Sequence, residues 1–276
     1  MDTLDIQGMR MPKLGFGTWK LKGEDAKDAV SHALDIGYRH IDTAQVYDNE
    51  AQIGAAIRDS SVDREDLFIT TKVWMDRYAR GDLEQSAREC LNRLDTDYVH
   101  LLILNWPNPD FPIEQTIEAL NQVKDDGLAR HIGVSNFTTM WLGEAVAATR
   151  HPLALNQVEY HPFIDQTPVL DAIEKYDMGL TAYSSIAQGK VFENDTLKTI
   201  AEAHDKSPAQ VALRWLIQQP RVSAIPRSSK REHAQANFDI FDFELSDGEM
   251  AEIARLRRSD HRLVDPSWAP AWDVAA

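Results

Sequence analysis

Eight apolar runs of strand length recur along this chain, and most are followed by a stretch whose apolar residues repeat at helical spacing. The runs lead into Gly15 and Gly17, then cover YRHID (38–42), LFITTKVW (67–74), YVHLLILNW (98–106), RHIGVS (130–135), the segment 154–158, GLTAY (179–183) and VSAIP (222–226). Between them, segments such as 82–94 place Leu83, Ala87, Leu91 and Leu94 on one helical face. Near-continuous apolar strands separated by helices imply a parallel sheet covered by helices. Eight such units closed on themselves make an α/β fold of the (β/α)8 TIM-barrel type, and the length suits one. An open doubly wound sheet is the alternative, weakened by the lack of a GxGxxG motif. Ahead of the repeats, LDIQGMRMPK (4–13) reads as two short strands about Gln7-Gly8, an N-terminal β-hairpin cap.

Polar residues fall at or just past the strand ends: Asp42, Lys72, Asn105, Ser135, Gln157 and Tyr183. In a closed barrel those ends converge on one face, where active sites form. Tyr47 follows the Asp42 strand closely. An unperturbed phenol titrates at roughly 10, and a cation nearby favours its ionised form. Asp42, Tyr47 and Lys72 together would be a proton-donating unit.

The 276 residues carry 44 acidic and 29 basic side chains, a net charge of −15. That balance argues against nucleic acid as the main partner, since phosphate contacts need basic patches. Only the stretch from Arg221 to Arg231 is locally basic. No run approaches the roughly 18 apolar residues of a membrane span, so no membrane partner is expected. The N-terminus lacks the apolar region of a secretory signal, and Cys90 is the sole cysteine, which points to a reducing, cytoplasmic setting. No linker composition is visible, so one domain over 1–276 is expected.

The motifs LGFGTWKL (14–21), GYRHIDTAQVYDNEAQIGAAI (37–57), LFITTKVW (67–74), IGVSNF (132–137), NQVEYHPF (156–163), AIPRS (224–228) and FDFELSDGEM (241–250) closely resemble those of the aldo-keto reductases. The resemblance is strongest to short-looped bacterial members acting on small aldehydes and keto-sugars. It implies a barrel that binds NADPH, and possible use of NADH, without a Rossmann motif. By resemblance Tyr47 is the general acid, Lys72 lowers its pKa, and Asp42 orients Lys72. Ser135, Asn136 and Gln157 would bond the nicotinamide carboxamide, and Tyr183 would stack on the ring. Ser184 and Gln188, in the AQGK turn (187–190), would follow the pyrophosphate. Trp19, Trp74 and Trp106 would wall the substrate pocket, and the tail LVDPSWAPAWD (263–273) would fold over it, with Trp268 a further contact. No metal is implied. The resemblance group is often monomeric. His40, His131 and His161 read as packing residues.

Two positions depart from the family pattern. Asn105 stands where most members have a His that orients the carbonyl; Asn donates a hydrogen bond but does not titrate. The chain is then either a reductase with Tyr47 as sole acid, or a cofactor-binding regulatory or catalytically impaired variant. Reduction of activated C=C bonds is a third reading, disfavoured because Asn supplies no acid. In the 2′-phosphate segment IPRSSKREHAQANF (225–238), Arg227 replaces the usual Lys and His233 the usual Arg. Ser228 and Asn237 remain. Arg227 can bond two phosphate oxygens, whereas His233 is mostly neutral at pH 7. NADPH binding with weakened discrimination against NADH is the expectation. A metal-dependent hydrolase barrel finds no supporting motif.

Overall fold

The computed structural model describes residues 2–274; Met1 and residues 275–276 of the expected domain lie outside them. Strands β1 (Thr3–Ile6) and β2 (Met9–Pro12) pair antiparallel. Gln7 and Gly8 both have positive φ, 49° and 79°, the backbone twist that tight hairpins favour. Strand β3 (Phe16–Gly17), helix α1 (Gly23–Ile36), β4 (His40–Asp42), α2 (Glu50–Asp59), β5 (Phe68–Val73), α3 (Asp82–Leu94) and β6 (Val99–Leu104) begin the alternation. It continues through α4 (Ile113–Asp125), β7 (Ala129–Ser135), α5 (Thr139–Ala148), β8 (Leu153–Glu159), α6 (Thr167–Lys175) and β9 (Gly179–Tyr183). Helices α7 (Asp195–Ala203) and α8 (Pro208–Gln218), strand β10 (Val222–Ala224), and helices α9 (Arg231–Phe238) and α10 (Asp247–Ala254) complete it.

Strands β3 to β10 lie side by side in sequence order, each parallel to the next. The ends of this sheet meet. Gly15 N–H donates to the Ala224 carbonyl (2.8 Å), Ala224 N–H to the Lys13 carbonyl (2.8 Å), and Gly17 N–H to the Pro226 carbonyl (3.0 Å). Those bonds close the barrel. A side chain on Gly17 would put its Cβ 2.7 Å from the Ile225 carbonyl oxygen, so the backbones can approach this closely only at glycine.

The helices bury their apolar faces on the outside of the sheet. In α3, Leu83, Ala87, Leu91 and Leu94 are all buried, as the spacing predicts, and the helix stops at Asp95 in left-handed conformation (φ 53°). Ser207 and Gln210 form a capping box that starts α8, with Pro208 at its first turn. Leu4, Ile6, Met9 and Met11 of the hairpin pack with Phe68, Leu101, Ile103, Ala154 and Leu155, filling the end of the barrel where the strands begin. The opposite end, where the strands finish, is left to polar side chains. Among the described residues, no helix is long and apolar enough to cross a membrane.

Candidate active site

Asp42 ends β4 and Lys72 lies near the end of β5; both are essentially buried. Lys72 Nζ donates to Asp42 Oδ1 at 2.5 Å and to the Thr43 carbonyl at 2.7 Å. The other carboxylate oxygen, Oδ2, accepts from Gln157 Nε2 at 2.8 Å. Tyr47 closes the short 3-10 turn Gln45–Tyr47 just after β4, with its ring centroid 5.0 Å from Lys72 Nζ. Burial works against the Lys72 ammonium, but Asp42 and Tyr47 outweigh it and hold its pKa above the ordinary lysine value. For Tyr47 the balance is reversed. Burial raises its phenol pKa and Lys72 only partly offsets this, so the net shift is upward. Lys72 thus acts on Tyr47 in the expected direction, lowering its pKa, but desolvation is the larger effect and sets the net sign.

Asn105 sits one residue past β6, buried, and its Nδ2 has no hydrogen-bond partner among the described residues. Its backbone carbonyl accepts from Asn136 Nδ2 (2.9 Å), which also reaches Ser135 Oγ (3.0 Å). Tyr183 Oη donates to Asn136 Oδ1 at 2.8 Å, and Ser135 Oγ donates to the Gln157 carbonyl at 2.7 Å. Asn136 adopts φ 62°, an unusual conformation that an Asn tolerates better than most residues. Ser135, Asn136, Gln157 and Tyr183 therefore form one connected ledge across the ends of β7, β8 and β9. The Asn136 amide is already engaged at both ends. Gln157 has its N–H committed to Asp42, leaving Oε1 as the amide atom with no partner among the described residues.

Beyond β9 the chain turns sharply. Ser184, Ala187 and Gln188 all have φ near 50°, and Gly189 has φ 95°. Left-handed non-glycine residues are costly and cluster at functional sites. Successive turns of this kind aim backbone N–H groups at anions. Ser185, fully buried with an unpartnered Oγ, lies in this turn and escaped sequence reasoning, which chose its neighbour Ser184. Only the local backbone reversal would have singled it out.

The segment after β10 carries the remaining candidates. Arg227 is exposed, with Nε donating to the Trp19 carbonyl at 3.0 Å. Ser228 is buried and holds the Lys230 backbone N–H at 3.0 Å. On α9, Asn237 is buried and His233 exposed. Arg231 leans toward Asp35 at 3.7 Å. Arg227, Ser228, His233 and Asn237 thus share one edge of the barrel top.

The tryptophans separate. Trp268 packs edge-on against both Trp74 (5.7 Å) and Trp106 (4.9 Å), and Trp272 lies 5.9 Å from Trp106. Trp19 is 45% exposed and makes no aromatic contact with this cluster. The tail is the centre of the aromatic wall: Trp268 is its hub, and Trp272, not singled out by the sequence, joins it. It is pinned by Glu159, whose Oε1 and Oε2 accept the Leu263 and Val264 N–H groups at 2.8 Å each. Asp273 accepts from the Thr139 N–H (2.9 Å) and Oγ1 (2.6 Å). The three histidines pack: His40 is buried with Nε2 3.1 Å from Thr70 Oγ1, His161 bonds Glu159 at 3.0 Å, and His131 is half-buried. Among the described residues no cluster of His, Cys, Asp or Glu is arranged to hold a metal ion.

Residues 13–258 match the Aldo/keto reductase family. The chain is 39% identical over 269 residues to the methylglyoxal reductase DkgB of Escherichia coli O157:H7, covering 96% of this chain and all of that protein. It is 40% identical over 261 residues to the glyoxal reductase of Bacillus subtilis, covering 94% of each. A crystal structure of a candidate 2,5-diketo-D-gluconic acid reductase B superimposes with a TM-score of 0.97 at 44% identity, covering 99% of this chain and 98% of that one. With a closed barrel, polar strand ends and relatives of full length, this chain belongs to the aldo-keto reductase family and is an oxidoreductase of carbonyl compounds.

Proposed function

We propose that the protein, as a single barrel domain, reduces small aldehydes, ketones or keto-sugars to alcohols with NADPH, and that Tyr47 is the proton donor. The observation that carries this reading is the buried Asp42–Lys72 pair beneath Tyr47, with the unpartnered Asn105 Nδ2 at the end of β6. A donor with no acceptor inside the protein is costly to bury. A substrate carbonyl oxygen would satisfy it.

The donor set suits a nicotinamide dinucleotide. Gln157 Oε1 and Ser135 Oγ can bond a carboxamide, the Tyr183 ring offers a flat face, and the turn with the unpartnered Ser185 Oγ suits a pyrophosphate. Ser184 and Gln188 belong to that turn. Arg227, Ser228, His233 and Asn237 would hold the adenosine end, with Arg227 as the phosphate partner that favours NADPH over NADH by a modest factor. When bound, the nicotinamide supplies hydride to the carbonyl carbon. Tyr47 then gives its proton to the oxygen, where negative charge builds, and Lys72 stabilises the phenolate left behind. The raised phenol pKa keeps that proton in place at neutral pH. Asp42 and Gln157 fix Lys72. Trp74, Trp106 and Trp268 exclude water from the pocket, with Trp19 at its outer rim.

The test is NADPH oxidation with a panel of aldehydes and diketones, run on the native protein and on Asn105→His. Measurable turnover in the native protein is expected, rising by about 100-fold or less in the His variant. Turnover only in the variant would instead mark a cofactor-binding protein whose chemistry is disabled at position 105.

A further inference from the structure

A cavity of about 360 Å3 opens between the 3-10 segment Ala187–Glu193 and the chain that runs from α10 into the tail. Neither the aromatic wall nor any of the candidate catalytic and cofactor residues lines it. Lys190, Glu193 and Asn194 come from the first segment and its end, and Arg255, Arg258 and His261 from the second. Phe163, Leu256 and Leu263 add apolar surface. Buried His161 also lines the cavity, with both ring nitrogens engaged, Nε2 by Glu159 (3.0 Å) and Nδ1 by the Phe163 N–H (3.2 Å). The volume is that of a small-molecule site.

The backbone around this cavity is fixed. The Arg258 N–H donates to the Phe163 carbonyl (2.9 Å), its carbonyl accepts from the Asp165 N–H (3.2 Å), and Glu159 holds the Leu263 N–H (2.8 Å). Asn194 caps α7 by accepting from the Leu197 N–H at 3.0 Å. The cations, by contrast, are uncommitted. Neighbouring Lys198 pairs with Asp195 at 3.0 Å and Arg257 with Asp165 at 3.8 Å. Lys190, Arg255 and Arg258 enter no ion pair among the described residues, although Glu193 lines the same cavity. His261 lies 4.0 Å from Asp260. On a chain of net charge −15, three unpaired cations on one cavity run against the overall balance. Like charges gathered this way repel, and an anion placed among them reverses the effect. Guanidinium forks match the oxygens of a phosphate, and an ammonium adds a point charge.

We infer that this cavity binds the phosphate group of a small phosphorylated compound, held by Lys190 from one segment and by Arg255 and Arg258 from the other. Phe163, Leu256 and Leu263 face its organic part. The site is separate from the residues that would hold a dinucleotide, and it does not depend on the reductase reading. Its occupant ties the Ala187–Glu193 segment to the chain that enters the tail.

The experiment is titration calorimetry in low-salt buffer with glycerol 3-phosphate, inorganic pyrophosphate and, as the uncharged control, glycerol. The native protein is compared with Lys190→Gln and with Arg255→Gln combined with Arg258→Gln. All three side chains are exposed, so these variants keep the fold. Two further variants serve as controls: Arg257→Gln removes a charge from the same segment outside the cavity, and Arg227→Gln alters the candidate cofactor edge. The native protein should bind both phosphate compounds with Kd below about 1 mM and ignore glycerol. The double variant should weaken that binding by about 10-fold or more, and Lys190→Gln by a smaller factor. Arg257→Gln and Arg227→Gln should keep the event that the double variant loses. Absence of binding in the native protein, or equal binding in the double variant, overturns the assignment. So does binding that survives the double variant and falls in Arg227→Gln, which belongs to the cofactor edge, or that falls equally in Arg257→Gln, which reflects overall charge alone.

Discussion

The two ends of the barrel are built on opposite terms. The end where the strands begin is plugged by the hairpin, with Leu4, Ile6, Met9 and Met11 packed on strand side chains in an apolar cluster. The end where the strands finish holds a buried ion pair, a ledge of linked amides and hydroxyls, and three buried polar atoms, on Asn105, Ser185 and Arg262, with no partner among the described residues. The first end is mainly a packing surface, although it too holds two such atoms, Gln7 Oε1 in the hairpin turn and His40 Nδ1 at the start of β4. The second gathers its unsatisfied groups beside a run of left-handed turns at the strand ends, costs that a bound ligand would relieve. Stability and chemistry are thus assigned largely to opposite ends of one barrel.

That division can be broken most severely from the polar end. Lys72→Met removes the cation beneath Tyr47 and leaves Asp42 buried without its partner. Turnover should fall by about 1,000-fold or more, and stability by roughly 3–5 kcal/mol, read by steady-state kinetics and thermal unfolding. Full turnover in this variant would end the case for the pair as the centre of the chemistry.

Met11→Ala tests the opposite end. Met11 is fully buried among the hairpin contacts, so truncation should cost roughly 2–5 kcal/mol in urea unfolding. Turnover per folded molecule should stay at the native level. A loss of kcat matching the loss of stability would show that the two ends are coupled after all.

The smallest effect sharpens the comparison through pH. His40, at the start of β4, is pushed down to about 4, chiefly by burial. Its neutral form is therefore favoured in the folded state. The stability it contributes is complete above about pH 6.5 and is lost as pH falls through about 4, on the order of 3 kcal/mol. His40→Gln should flatten that part of the acid limb of the stability curve, measured by unfolding at several pH values. An unchanged limb would place the acid sensitivity elsewhere.

Much of this plan was legible in the sequence. Helix α3 fell at its expected bounds because four apolar residues share one face. The strand ends marked Asp42, Lys72, Asn105 and Gln157 because polar residues are conspicuous after apolar runs. Tyr47 was found, but its net pKa direction was not, since burial is a property of the assembled mouth rather than of neighbours in the chain. Gln157 read as a cofactor ligand, while its bond to Asp42 joins residues 115 positions apart. Trp272 and Arg262 lie in a tail with no strand or helix period, so only the folded chain shows that they stack on one another beside Trp106. The resemblance placed Trp19 in the pocket wall with Trp74 and Trp106, yet it stands outside the aromatic cluster.

The seam where Gly15 and Gly17 meet Ala224 and Pro226 also bears on how the protein is made. Arg227 and Trp19, joined across it, lie 208 positions apart. Contacts of such separation must pay loop-closure entropy before they return anything, which slows folding. During synthesis β3 emerges early and waits for β10 with an open edge, and an unpaired strand edge is a template for association with other chains. The N-terminal third of this protein is therefore at its most vulnerable while the ribosome is still delivering the strand that completes the ring.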